Sequence, residues 1–289
     1  MTFVSIDFKF IPHEKAMISI FDRGFLLGDS VYEVFRIYPE GRPFMLEEHF
    51  KRLKKSASQI ELNIPFDFQT FNKHVYDLIQ TSGYTSSYCR VIVTRGIWDF
   101  NLFPDNVKSS KVIFILNKFK EYNKEFYEKG IKMAIVSIRR NHPSSLNPNI
   151  KSGNYLNNIL AIKEARKKGA MDAIMLNHKG YVAESTTSNI FIVKNGVLFT
   201  PDLRAGILNG ITRSIVIKLA RLNKIPIKIK NFTKHKLINA DECFITSTTK
   251  EIMPVTICDN LPIGNGKVGI ITKKLMNLFK EKGRYFNKI

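Results

Sequence analysis

Residues 172–200 read DAIMLNHKGYVAESTTSNIFIVKNGVLFT. The apolar runs at 172–177, 189–194 and 197–200 have the length and β-branched content of strands. Between them, Gly180-Tyr181 and Lys194-Asn195-Gly196 carry turn chemistry, because Gly and Asn tolerate the backbone conformations of a tight reversal. Outward from this stretch, further strands are expected at 131–138, 226–230, 242–246 and 252–258, and helices at 154–168, 210–223 and 266–281. Those helices are too few to alternate with the strands of a doubly wound sheet. The second half is therefore expected to be a mainly antiparallel sheet or barrel with flanking helices.

The first half is read as strands followed by helices. Strands are expected at 14–20, 31–37 and 42–46, with a Pro39-Glu40-Gly41 turn. From Glu47 to about Ile60, Phe50, Leu53, Ala57 and Ile60 recur at helical spacing, and a second amphipathic helix is expected at 67–81. Two β-rich runs, 88–94 and 111–116, can pair within one small α+β domain. The polar stretch from Asn117 to about Asn123 reads as a linker. The 289 residues suit two domains of about 150 residues each, placed at 1–120 and 121–289.

The chain carries 45 Lys and Arg against 25 Asp and Glu, a formal charge of +20. Such an excess favours polyanions by long-range attraction. A nucleic-acid module would cluster its basic residues with interleaved aromatics on one element. Here they are spread, and the nearest clusters, at 51–55 and 273–284, read as solvated helix faces. Neither nucleic acid nor membrane is expected as a partner, and the excess reads as compositional bias in a chain rich in Lys, Ile, Asn and Phe. Three widely spaced cysteines, Cys89, Cys243 and Cys258, suit a reducing compartment. With no signal-peptide pattern and no apolar run long enough to span a bilayer, a cytoplasmic location is expected. Glycine-rich nucleotide loops, HExxH and Cys/His clusters are absent from the sequence, so no metal is expected.

Three groups of residues could carry chemistry. Lys151, in NPNIKSGNYLNN, lies between apolar Ile150 and a Ser-Gly-Asn turn rather than on a polar helix face. It is either a solvated charge or an amine nucleophile and base. Glu184, in GYVAESTTSNIFIV, is either a turn acid bonding its own backbone or a fixed anion that holds a proton on a heteroaromatic nitrogen. Arg52, the helix start at Gly210-Ile211-Thr212 and the strand end at Ser247-Thr248-Thr249 could together hold a phosphate. Taken singly, each of these has an ordinary structural reading as well.

In order, these pieces resemble the class IV pyridoxal-phosphate aminotransferases, a family that includes branched-chain aminotransferases, D-amino acid aminotransferases and aminodeoxychorismate lyase. The resemblance runs through FDRGFLLGDSVYEVFRIY, EEHFKRLKKSA, RVIVTRG, IKSGNYLNNILAIKEA, YVAESTTSNIF, GILNGITRSIV and ECFITSTTKEIMPV. It implies a mixed α/β fold of the α+β type, with a small N-terminal α/β domain and a larger C-terminal barrel-like domain. It also implies pyridoxal 5′-phosphate as cofactor, amino acid and 2-oxo acid as substrates, and a homodimer.

By the same resemblance Lys151 is the lysine that bonds the cofactor, and Glu184 faces its pyridine nitrogen. Arg52, Ile211, Thr212 and Thr248 match the phosphate cradle, and Tyr155 matches the tyrosine that bonds the phenolic oxygen. Tyr32, Arg36, Thr249 and Trp98 fall at the substrate pocket. The loop after TRG, IWDFNLFPDN, lacks the Arg-x-His of D-amino acid enzymes, and Trp98, Phe100, Leu102 and Phe103 make it apolar. GNYLNN and Arg36 lean toward branched-chain enzymes, whereas YEVF departs from their FEG-type segment. The expected activity is transamination of L-branched-chain amino acids with 2-oxoglutarate. D-amino acid transamination and the lyase are the alternatives within the family, and a basic nucleic-acid-binding protein is the alternative outside it.

Overall fold

The computed structural model describes residues 2–98, 101–103 and 110–286, leaving aside the side chain of Glu40. The chain divides into two units. The first comprises Met1–Lys120 together with Ile150–Asn154, and the second comprises essentially Glu121–Asn149 and Tyr155–Asn287. The short segment that carries Lys151 thus groups with the first unit, although it lies well beyond residue 120 in the chain.

The first unit contains β1 (Thr2–Ile6), β2 (Lys9–Ile11), α1 (Arg23–Leu27), β3 (Ser30–Tyr38), β4 (Arg42–Pro43), α2 (Leu46–Ser58), α3 (Phe68–Ser82), β5 (Ser87–Thr94) and β6 (Lys111–Lys118). Its six strands form one antiparallel sheet in the order β2-β1-β6-β5-β3-β4. Side chains alternate across a strand. Val31, Phe35 and Ile37 of β3 join Leu53, Phe71 and Leu78 of the helices in a core, while Tyr32 and Arg36 fall on the opposite face from Val31, Phe35 and Ile37. Asp67 caps α3 by accepting from Thr70 N at 2.8 Å. Gly83 ends the same helix in the left-handed conformation, at φ 64°, which glycine adopts without steric cost.

Two expectations for this unit are corrected. No strand forms at 14–20: residues 13–15 make a 3-10 turn, and Met17 and Ile20 are exposed without a sheet partner. An alternating pattern supplies side chains for a strand but not a neighbour to pair with. The run at 42–46 is a strand only as far as Pro43, because α2 already starts at Leu46.

The second unit contains α4 (Glu125–Glu128), β7 (Ile131–Ile135), α5 (Leu156–Lys167), β8 (Asp172–Leu176), β9 (Val182–Ser185), β10 (Asn189–Lys194), β11 (Val197–Thr200), α6 (Ile211–Leu222), β12 (Ile227–Ile229), α7 (Lys234–Ile238), β13 (Glu242–Ser247), β14 (Glu251–Cys258), β15 (Leu261–Pro262) and α8 (Ile270–Glu281). Nine strands form one mixed sheet, with the path β12-β11-β10-β13-β14-β7-β8-β9 and β15 beside β14. β9 and β10 are five positions apart on that path, about 24 Å if the sheet were flat. The link between Ser185 and Asn189 can span only about 14 Å. The sheet must therefore curl, which gives the barrel-like form within a mixed α/β fold.

The strand expected at 131–138 ends at Ile135, and the helix expected from 266 begins at Ile270. Its start is set from outside the local sequence. Glu242 of β13 accepts from Ile271 N at 3.0 Å and Thr272 N at 2.7 Å, capping α8 with a distant carboxylate. Among the described residues, no helix is long and apolar enough to cross a membrane.

Candidate active site

In the first unit, Lys151 is pinned through its backbone. Its carbonyl accepts from Tyr32 N at 2.9 Å, and its own N–H donates to Ser56 Oγ at 3.1 Å. A bridge between Val31 and Ser152 and a bond from Gly153 N to Ser30 O at 2.9 Å complete the docking against β3. A Cβ on Gly153 would collide with Ser30 Oγ as it stands, so a larger residue there would have to turn that hydroxyl aside. The Lys151 ammonium then donates to Tyr32 Oη at 3.1 Å and lies 4.2 Å from the centre of that ring. The Arg90 guanidinium lies 4.7 Å from the same ring centre. Attraction of the amine to the ring face adds to the hold of the Tyr32 hydroxyl.

Arg52 lies on α2 and forms a two-point ion pair with Glu33, Nε to Oε1 at 2.6 Å and Nη2 to Oε2 at 2.8 Å. Glu33 is fully buried and also meets His49 Nδ1 at 2.7 Å. Burial would raise the Glu33 carboxyl, but the charge and hydrogen bonds of Arg52 and the bond from His49 outweigh it, holding the pKa far below the usual range. For His49, burial pushes the pKa down and prevails over the attraction of Glu33. His49 is thus a neutral donor through Nδ1. Neither Glu33 nor His49 was marked by the sequence motifs. The available signal was an acid inside the apolar run VYEVF, and a histidine three residues before Arg52.

Other candidates of the first unit have surroundings of their own. The Arg36 guanidinium stacks 3.9 Å from the ring centre of Phe119 and 4.8 Å from that of Tyr38. Trp98 follows the Asp22–Ile97 bridge, and its backbone N–H donates to Phe21 O at 3.3 Å. Phe100 lies outside the described residues.

In the second unit, Glu184 sits near the end of β9 and is 5% exposed. Oε1 accepts from Arg140 Nε at 2.9 Å, and Oε2 accepts from Asn189 Nδ2 and Leu208 N, each at 3.1 Å. Arg140 also donates to Asn157 Oδ1 at 3.3 Å. These contacts fix a buried anion in one orientation, which a turn acid bonding its own backbone would not show. Asn189 lies in the same motif as Glu184, but Arg140 and Leu208 come from separate stretches of chain, so sequence spacing could not reveal them.

α6 starts at Ile211 after Gly210, which supplies no side-chain cap. Thr212 Oγ1 is buried and has no hydrogen-bond partner among the described residues. An uncapped helix start with an orphaned hydroxyl in its first turn is a seat for an anion. Thr248 and Thr249 lie in the hairpin turn between β13 and β14, where Ser247 pairs with Glu251. Glu251 adopts the left-handed conformation at φ 55° that closes such a loop. Tyr155 stands at the N-terminus of α5 and is half-buried. Among the described residues, no three metal-ligating side chains gather at one place.

The first unit thus offers an amine beside a tyrosine, and the second a fixed buried carboxylate and an uncapped helix start. The chain matches the family Amino-transferase class IV over residues 30–258. It is 42% identical, over 94% of its length and 93% of the relative's, to a Methanocaldococcus jannaschii protein provisionally assigned as a branched-chain-amino-acid aminotransferase. It is 36% identical to the D-alanine aminotransferase of Listeria innocua, over 96% of this chain and 95% of that one. The crystal structure of the T.th. branched-chain amino acid aminotransferase with pyridoxamine 5′-phosphate superposes with a TM-score of 0.92 at 31% identity, covering 98% of this chain and 94% of that one. The chain belongs to the class IV aminotransferases. It is an enzyme that moves an amino group between an amino acid and a 2-oxo acid.

Proposed function

We propose that this aminotransferase uses pyridoxal 5′-phosphate to convert L-branched-chain amino acids to their 2-oxo acids, with 2-oxoglutarate as acceptor. The observation that carries the cofactor reading is the buried, orphaned hydroxyl of Thr212 at the uncapped start of α6. A phosphate there would gain that hydroxyl, the first N–H groups of the helix and the helix dipole. Ile211, Thr248 and Arg52 would hold the same group, Tyr155 would bond the phenolic oxygen, and Glu184 would keep the pyridine nitrogen protonated. When bound, the cofactor supplies the electron sink for the bond broken at Cα.

The chain's own residues supply position and proton transfer. Lys151 would hold the cofactor at rest and, once the substrate amine takes its place, would move the proton at the substrate Cα as a general base. Tyr32 aims that amine, and Arg140 and Asn189 keep the Glu184 carboxylate in place. Arg36, Thr249 and Trp98 would line the substrate pocket. The two units would be the small and large domains of the family, 1–120 and 121–289, with Ile150–Asn154 docked on the small one.

The branched-chain reading is supported by the 42% relative and by Trp98, Leu102 and Phe103, apolar residues where D-amino acid enzymes carry Arg-x-His. Transamination of D-amino acids is the second reading, favoured by the 36% relative. A cytoplasmic setting is supported by three free, buried cysteines. The test compares initial rates on L-leucine and D-alanine with 2-oxoglutarate, alongside visible absorbance of wild type and Lys151→Ala loaded with pyridoxal phosphate. L-leucine is expected to react faster, and the substitution to abolish turnover and alter the visible band. Preference for D-alanine overturns the substrate, and a wild-type chain with no visible band overturns the cofactor.

A further inference from the structure

Four consecutive hydroxyl residues, Ser185-Thr186-Thr187-Ser188, link Glu184 to Asn189, and all four are claimed by one ion pair. Asp172 on β8 is 4% exposed. It accepts from Thr186 Oγ1 at 2.6 Å and from Ser185 Oγ at 3.2 Å. Lys250 has a side chain only 11% exposed. Its ammonium donates to Thr187 Oγ1 at 2.6 Å and Ser188 Oγ at 3.3 Å, and lies 3.8 Å from Asp172 Oδ2. The Thr186 carbonyl is held in addition by Asn158 Nδ2 at 2.5 Å.

Lys250 directly follows Thr248 and Thr249, and Asn189 donates to Glu184. One buried ion pair therefore ties the loop that ends Glu184's strand to the turn that carries the two threonines. We infer that Lys250 and Asp172 are positioning residues, which hold the Glu184 loop and the Thr248–Thr249 turn in a single arrangement and so set cofactor affinity. The inference rests on the cofactor reading of Glu184 and Thr248 given above.

A buried lysine is costly to keep, since burial pushes its pKa down against the pull of Asp172. Packing alone would be served as well by an apolar residue of similar volume. What an apolar residue cannot replace is the directed set of bonds to Thr187 and Ser188. A purely structural pair would need only charge balance, and that difference can be measured.

The test uses the full chain as wild type, Lys250→Met, Asp172→Asn and the double variant, all stripped of cofactor and titrated with pyridoxal phosphate. Thermal midpoints of the stripped proteins are recorded in parallel, as is the pH dependence of the visible band. Lys250→Met is expected to weaken cofactor binding at least about tenfold, as loss of an outer positioning contact does elsewhere, and to move the band's pH midpoint. The double variant removes the unpaired buried charge, so its thermal midpoint should recover while cofactor affinity stays impaired.

Wild-type affinity and pH profile in Lys250→Met overturn the inference, as does a double variant whose affinity recovers together with its stability. If Lys250→Met fails to fold, Thr187→Val removes the 2.6 Å contact alone and is expected to weaken binding in the same direction; unchanged binding there overturns the inference. A wild-type chain that takes up no pyridoxal phosphate overturns the cofactor reading and, with it, this inference.

Discussion

Glu33, His49 and Arg52 show how one residue's charge state depends on neighbours that local sequence does not reveal. His49 is fully buried, faces Glu33 and Arg52, and feels the charge of Lys151. Its folded pKa lies below the unfolded value of about 6.5, so in acid the unfolded chain binds a proton that the folded chain refuses. The stability tied to this group is complete above that value and is lost as pH falls below it. Unfolding free energies measured between neutral and mildly acidic pH should drop more steeply in wild type than in His49→Gln, by up to about 1.4 kcal/mol per pH unit. Equal slopes would show that His49 does not titrate on unfolding. Lys151, Glu184 and the Gly210-Ile211-Thr212 start were legible as candidates because residue type and neighbours marked them. The pairing of Lys151 with Tyr32 and of Glu184 with Arg140 acquires meaning only when strands and loops distant in sequence meet.

Among elements, α2, α3 and α6 were readable because apolar spacing over three turns leaves one answer for which face is buried. The β1–β2 hairpin was not, because its two-residue turn is Asp7-Phe8 at φ 49° and 65° rather than the Asn-Gly that signals such a turn. The docking of Ile150–Asn154 on β3 was equally hidden, since these residues form no regular element of their own. That docking can be tested at Gly153. An added methyl collides with Ser30 Oγ, so Gly153→Ala should cost about 1–3 kcal/mol in denaturant unfolding. Removing the obstacle in Gly153→Ala/Ser30→Ala should restore most of it. A single variant as stable as wild type would mean that the Ser30 hydroxyl turns aside or the segment shifts without cost.

For the whole molecule, the +20 charge was the most conspicuous number and explains little of the candidate residues: Arg52 in the first unit and Arg140 in the second are each neutralised by a buried carboxylate. The exposed apolar surface says more. Met17, Ile20, Phe25, Leu102 and Phe103 are all largely exposed in the first unit, and apolar side chains exposed in one contiguous patch serve as interaction surfaces. We propose that they meet a second copy of the chain. Light scattering should give twice 33.3 kDa for wild type and a smaller mass for Phe25→Asp, whereas a monomeric wild type would remove the homodimer. Sequence by itself determined the five long helices, most strands and the family, because periodicity and ordered motifs are local properties. Tertiary structure alone decided the strand order of the second sheet, the docking of Lys151 on β3 and the pairing of Glu184 with Arg140 and Leu208. Each of those depends on groups far apart in the chain being brought within hydrogen-bond reach, which residue spacing does not encode.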